Sequence, residues 1–121
     1  MEESLMLAAR ACALPRNAVR LELHGDIDVA SVDIFREALY QQIHGSYRYI
    51  MLDLHEVRYM DSTAFAVLMS GMQALMGGRK MLLIGVSPAL RRVFTVTGLS
   101  RLLELYDSEQ AALEHLPLEQ Y

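Results

Sequence analysis

Apolar residues recur along this chain with two periods, and the changes of period mark its elements. In "VRLELHG" (19–25), Val19, Leu21 and Leu23 alternate with Arg20, Glu22 and His24, which predicts a strand with one buried face. The preceding "LMLAARAC" (5–12) predicts a first strand, and Pro15-Arg16-Asn17 between the two is a turn signal, so they form an antiparallel hairpin. After the loop or helix entry "GDIDVAS" (25–31), Phe35, Leu39 and Ile43, with Ile34 and Ala38 beside them, repeat at helical spacing to about His44. Gly45 then stands where a helix commonly closes with a left-handed residue. "YRYIMLDL" (47–54) and "RKMLLIGV" (79–86) are dense in apolar residues, as central strands buried on both faces are. Between them a helix is predicted from about Ser62 to Met76, stopped by Gly77-Gly78.

Ser87 followed by Pro88 is an N-cap with proline at the first helical position. The helix it opens, "PALRRVFTVT", ends at Gly98. "LLELY" (102–106) predicts a short edge strand; Asp107 or Ser108 caps a last helix that Pro117 ends, and the tail to Tyr121 is expected to fray. The order ββαβαβαβα predicts an α/β fold with a mixed, mostly parallel sheet of four or five strands, about four helices and right-handed crossovers. In such sheets sites gather at strand C-termini beside helix N-termini. Asp61-Ser62-Thr63 falls there.

The triplet has two readings. Asp, Ser and Thr are all favoured N-caps, and capping alone accounts for the spacing. Alternatively, Ser62 is a group that another protein modifies. A helix N-terminus offers backbone N–H donors and about half a positive charge, so a phosphate on Ser62 would be tolerated there. It would still add about −1.5 to −2 charges next to Asp61. No His or Lys lies close in sequence to serve as base and the G-x-S-x-G elbow is absent, so a serine hydrolase is disfavoured. On the following helix Phe65, Met69, Met72 and Met76 project as one stripe and Ala64, Leu68, Gly71 and Leu75 as its neighbour. That apolar arc is nearly twice the roughly 100° a surface helix needs. Methionines suit both adaptable docking surfaces and irregular cores, and both readings stay open.

The length of 121 residues fits a single domain over 1–121, with its core at about 19–116 between a short N-terminal strand and a C-terminal tail. A net charge of −4 argues against a nucleic-acid surface. The lone Cys12 forms no internal disulfide, the four histidines are dispersed, and no Cys/His cluster has metal-ligand spacing. The first residues, "MEESLMLAARAC", are too polar for a signal peptide and no run reaches the ~20 apolar residues of a membrane span, so a cytoplasmic protein that neither enters membranes nor needs a cofactor is expected.

"LDLHEVRYMDSTAF" resembles the signature of anti-sigma-factor antagonists, which are STAS domains: an apolar strand, Asp-Leu, a loop, an apolar pair, then Asp-Ser-Ser/Thr-Gly-Leu. "LHGDID" matches the family's Gly-Glu-Leu-Asp element, "IGVSPALRRVFTVTGL" its Ser-Pro-x-x-x-Arg-x-Phe-x-x-x-Gly-Leu element, and "YDSEQAAL" its closing turn and helix. The resemblance runs from about Val19 to Leu116. It implies a non-enzymatic regulator that, while unphosphorylated, binds an anti-sigma factor with serine kinase activity and so frees a sigma factor. It further implies that this partner phosphorylates Ser62, with Thr63 the lesser candidate, and that a metal-dependent serine phosphatase resets the switch. The partner-binding residues so implied are Asp28, Asp61, Ser62, Thr63, Ala64, Phe65 and Met69. Two departures fall inside the motif: Ala64 replaces the usual Gly and Phe65 the usual Leu, which alters how closely a partner backbone can approach. Monomer and homodimer are both allowed.

Three other readings compete. One is a STAS scaffold or regulatory subunit of a larger assembly, with Ser62 unmodified. A receiver-like domain with Asp53 as acceptor fares badly, because the acidic pair follows the second strand and no Lys follows the fourth. The last is a small enzyme holding Mg²⁺ on Asp26, Asp28 and Asp61. Arg91 and Arg92 could meet an acidic patch on a partner or simply be solvated.

Overall fold

The computed structural model describes residues 7–117. A five-stranded sheet runs in chain order: β1 (Ala8–Leu14), β2 (Ala18–His24), β3 (Tyr49–Glu56), β4 (Lys80–Ile84) and β5 (Glu104–Tyr106). β1 and β2 are antiparallel and the other pairs parallel, so the sheet is mixed as the hairpin predicts. Helices α1 (Val32–Ile43), α2 (Ser62–Ala74), α3 (Pro88–Val96) and α4 (Glu109–Glu114) complete the single α/β domain.

Side-chain parity explains the layers. Val19, Leu21 and Leu23 alternate out of β2 into a core with Ile50, Leu52 and Leu54 of β3, covered by Phe35 and Leu39 of α1, Leu68 of α2 and Phe94 of α3. The other face of the sheet carries Tyr49, Met51, Leu82 and Ile84, covered by Ala112 of α4 and by Leu116 just beyond that helix. β3 therefore buries both faces, as its dense sequence requires. Arg16 and Arg20, from the first hairpin, tie α4 down: Arg16 donates to the carbonyls of Leu113 and Leu116 and Arg20 pairs with Glu109.

Several boundaries differ from expectation, each for a local reason. The first strand starts three residues and ends two residues later than expected, at Ala8–Leu14, and Leu5 and Met6 are outside the described residues. The expected tail also lies beyond them from residue 118. α2 stops at Ala74 because Leu75 is already extended, leaving Met76 beyond the helix and 75% exposed. β4 stops at Ile84 because Gly85 turns left-handed, with φ 71°. Gly98, at φ 82°, closes α3 as expected but leads into a 3₁₀ turn (Leu99–Arg101), so β5 starts only at Glu104. Gly45 does not close α1 in the left-handed region; His44 is the C-cap. The exposed carbonyls there go to Arg79, whose guanidinium donates to Ile43 O at 2.7 Å and Tyr47 O at 2.8 Å, and more weakly to Gln42 O and Gly45 O. Short-range signals could not show this cap, which comes from 36 residues away.

Candidate functional site

Parallel β2 and β3 bring the β2–α1 and β3–α2 loops to the same end of the sheet, and the two loops are zipped together. Ile27 N donates to Tyr59 O at 3.0 Å, Asp61 N donates to Ile27 O at 3.1 Å, and Ile27 and Met60 form a parallel bridge. Both bridging side chains are buried, which aims the alternate residues of these loops outward. Asp28, Val29, Tyr59 and the Asp61-Ser62-Thr63 triplet thus belong to one surface at the sheet's end.

Within the triplet the roles separate. Asp61 is the N-cap, with extended backbone, and Ser62 is the first helical residue. One Asp61 carboxylate oxygen accepts from Thr63 N at 2.9 Å, from Ala64 N at 3.2 Å and from the Thr63 hydroxyl. The other accepts from Val29 N at 3.0 Å, stapling the neighbouring loop to the helix start. The Thr63 hydroxyl bond and then these backbone bonds hold the Asp61 pKa below its ordinary value, so the group is ionised at neutral pH. Ser62 is exposed, and among the described residues its hydroxyl has no hydrogen-bond partner. Capping and a free hydroxyl therefore coexist, on adjacent residues.

This arrangement leaves fewer donors at the helix start for a phosphate than expected. The N–H groups of Thr63 and Ala64 are taken by the Asp61 side chain and that of Phe65 by the Asp61 carbonyl. Two further expectations change. Ala64 is fully buried, so it offers a partner no surface of its own and acts only through the backbone spacing it sets. The Phe65-Met69-Met72-Met76 stripe divides: Phe65 and Met72 pack against the main core, Met69 is half-buried and Met76 exposed. Phe65 meets Phe94 of α3 edge-on, with centroids 5.5 Å apart and planes at 75°, a geometry that favours the pair electrostatically.

Asp28 is half-buried in the β2–α1 loop. Its carboxylate accepts from Ala30 N at 3.0 Å and Ser31 N at 3.2 Å, while Ser31 Oγ donates to Asp26 O at 2.8 Å. The carboxylates of Asp28 and Asp61 both face backbone donors, and among the described residues no group of three or more His, Cys, Asp or Glu is placed to hold a metal ion. Asp53 accepts from the backbone and ring of His55, at 3.1 and 3.0 Å. Arg91 reaches Asp107 at 3.6 Å, whereas Arg92 is exposed. No helix among the described residues is long and apolar enough to cross a membrane.

Sequence reasoning missed two residues of this surface. Val29 is 75% and Tyr59 52% exposed, and they are the large apolar side chains of the two zipped loops that face solvent. A signal existed for Tyr59, an apolar residue directly before the buried Met60, which strand parity turns outward. Val29 shares the parity of the buried Ile27 and faces solvent only because the chain turns at Asp28, whose carbonyl accepts from Ser31 N and Val32 N.

The model of the STAS domain matches residues 13–112. An anti-sigma-B factor antagonist of Listeria monocytogenes is 36% identical over 88 residues, covering 70% of this chain and 75% of that protein. The crystal structure of an anti-sigma factor antagonist from Mycobacterium paratuberculosis superposes with a TM-score of 0.82 at 20% identity, over 89% of this chain and 92% of that one. The phosphorylated form of the Bacillus cell fate determinant SpoIIAA superposes with a TM-score of 0.68 at 23% identity, over 91% of this chain and all of that one. The match takes in most of the domain, and the chain belongs to the STAS domain family.

Proposed function

We propose that this protein is an anti-sigma factor antagonist that docks an anti-sigma factor with serine kinase activity through the Ser62 surface and is released when that partner phosphorylates Ser62. The observation that carries the reading is the division of labour at the helix start: Asp61 and Thr63 are engaged with each other, while the Ser62 hydroxyl is exposed and free to accept a phosphoryl group. The relative's name, anti-sigma-B factor antagonist, and the phosphorylated form of SpoIIAA support it.

The docking face comprises Val29 and Tyr59 as apolar contacts, Ser62 at the centre and Asp28 and Phe65 as the residues that shape it. Burying the free hydroxyl costs little where a partner supplies a hydrogen bond. A phosphate at the same place finds the N–H groups of Thr63, Ala64 and Phe65 already engaged and stands beside the ionised Asp61. Desolvating that dianion against a complementary surface is unfavourable, and a hundredfold loss of affinity requires only about 2.8 kcal/mol. The switch needs no refolding. The protein acts in the cytoplasm and catalyses nothing itself; the kinase is the partner, and a metal-dependent serine phosphatase reverses the modification.

The test is incubation of the purified chain with ATP and each anti-sigma kinase encoded near it in the genome, read by intact mass and peptide mapping. One phosphoryl group on Ser62 is expected, and none on the Ser62→Ala variant. Labelling of Thr63 in place of Ser62, or no labelling by any of them, would overturn the reading.

A further inference from the structure

β1 is the outer strand of the sheet and pairs with β2 one-to-one over all seven residues, with no bulge. Half of its backbone N–H and C=O groups point away from β2, and among the described residues none receives a hydrogen bond from a loop. Soluble proteins guard such edges with lysine, proline, a bulge or brevity. β5, the opposite edge, is three residues long. β1 uses none of these devices: it is regular, and Arg10 is its only charge, already facing Glu22 within the same chain at 3.8 Å. Ala9, Ala11 and Ala13 lie on the α1 side of the sheet, in register with Leu23, Leu21 and Val19, yet all three are exposed. Alanine is depleted in strands, because it packs little surface; three in alternate positions leave a lane open to close approach.

We propose that β1 is a homodimerisation edge: it pairs antiparallel with β1 of a second copy about a two-fold axis at Ala11, joining the two sheets into one. Opposed residues in an antiparallel ladder point to the same side, so an axis perpendicular to the sheet must pass through a residue rather than between two. Ala11 is the midpoint of Ala8–Leu14, so all seven residues find partners. Ala8 meets Leu14, Ala9 meets Ala13, Arg10 meets Cys12, and no charge opposes itself. An axis at Arg10 sets two guanidinium groups against each other. One at Cys12 draws Pro15, which has no N–H to donate, into the ladder. Pairing β1 with the β5 edge of another copy offers only three residues and is heterologous, so it cannot give a closed two-fold dimer. Isologous pairing of β1 is the self-complementary solution. It does not depend on the role of Ser62, which lies at the sheet's end and not on this edge.

The test is sedimentation equilibrium of the full chain with two variants, Ala11→Lys and Ala11→Glu. Each places a charge opposite its own copy across the axis, at a site exposed in the monomer, so the fold is retained and far-ultraviolet circular dichroism is unchanged. The wild type is expected to dimerise with rising concentration. Either variant alone raises the dissociation constant at least about tenfold, because like charges directly opposed destabilise the ladder. An equimolar mixture of the two recovers the dimer as a Lys–Glu heterodimer. A wild type that stays monomeric at about 1 mM, a dimer unaffected by either variant, or a mixture that does not recover would each overturn the proposal.

Discussion

Replacing Arg79 with Met removes the group that closes α1 in place of a left-handed glycine. The guanidinium makes two good hydrogen bonds, at 2.7 Å to Ile43 O and 2.8 Å to Tyr47 O, and two long ones at 3.3 and 3.4 Å. It also places a positive charge at the negative end of the α1 dipole. Bonds to a charged donor contribute about 1.5–3 kcal/mol each, but half-exposed carbonyls recover part of this from water, so the loss is about 3 kcal/mol and not the sum of four bonds. That is a factor of roughly 150 in the folding equilibrium. For a domain of this size it lowers Tm by about 10 °C. Met keeps most of the aliphatic stem, so lost packing contributes little. Arg79→Lys keeps the charge but not the planar fork, and falls between the two. Urea unfolding followed by circular dichroism measures the difference at constant m-value. A loss under about 0.5 kcal/mol in Arg79→Met would refute the claim that this side chain closes α1.

Other outcomes follow from the same geometry. A Cβ on Gly85 would lie 2.5 Å from His55 Cβ and 3.1 Å from the β3 backbone, at φ 71°. Gly85→Ala should therefore cost about 2–4 kcal/mol in urea unfolding. The hydrogen bond that His55 donates to the Asp53 carboxylate, and then that carboxylate's charge, raise the His55 pKa above the ordinary histidine value. The raised value means that the stabilisation is complete below the unfolded-state pKa and is lost as pH rises through the folded one. Urea midpoints of the wild type should therefore fall from mildly acidic to mildly alkaline pH relative to His55→Gln, by a small amount because the ring is 62% exposed. Val29→Asp, on a side chain that packs against nothing in the core, should leave Tm unchanged and weaken capture of the anti-sigma partner at least about tenfold by surface plasmon resonance.

The fold was largely legible because its signals are local. The alternation of Val19, Leu21 and Leu23, the Ser87-Pro88 start and the left-handed Gly98 each act within a few residues, and each lies where the pattern puts it. What was illegible depends on contacts between distant segments. Gly45 looked sufficient to end α1, and nothing near it in sequence announced Arg79. The Asp61 staple to Val29 spans 32 residues and exists only because β2 and β3 are parallel neighbours. The site was half legible for the same reason. Asp, Ser and Thr were correctly placed at a helix start, but their division into cap and free hydroxyl is decided by backbone direction at Asp61, which composition does not encode. Ala64 projects onto the same apolar stripe as Leu68 and Gly71, and all three are buried.

The account stands on the claim that a phosphate on Ser62 abolishes docking electrostatically, without reshaping the domain. Calorimetric titration of the anti-sigma kinase with the unmodified chain and with the stoichiometrically Ser62-phosphorylated chain tests it directly. A loss of affinity of about a hundredfold or more is expected for the phosphorylated form. Equal affinities for the two forms would contradict it.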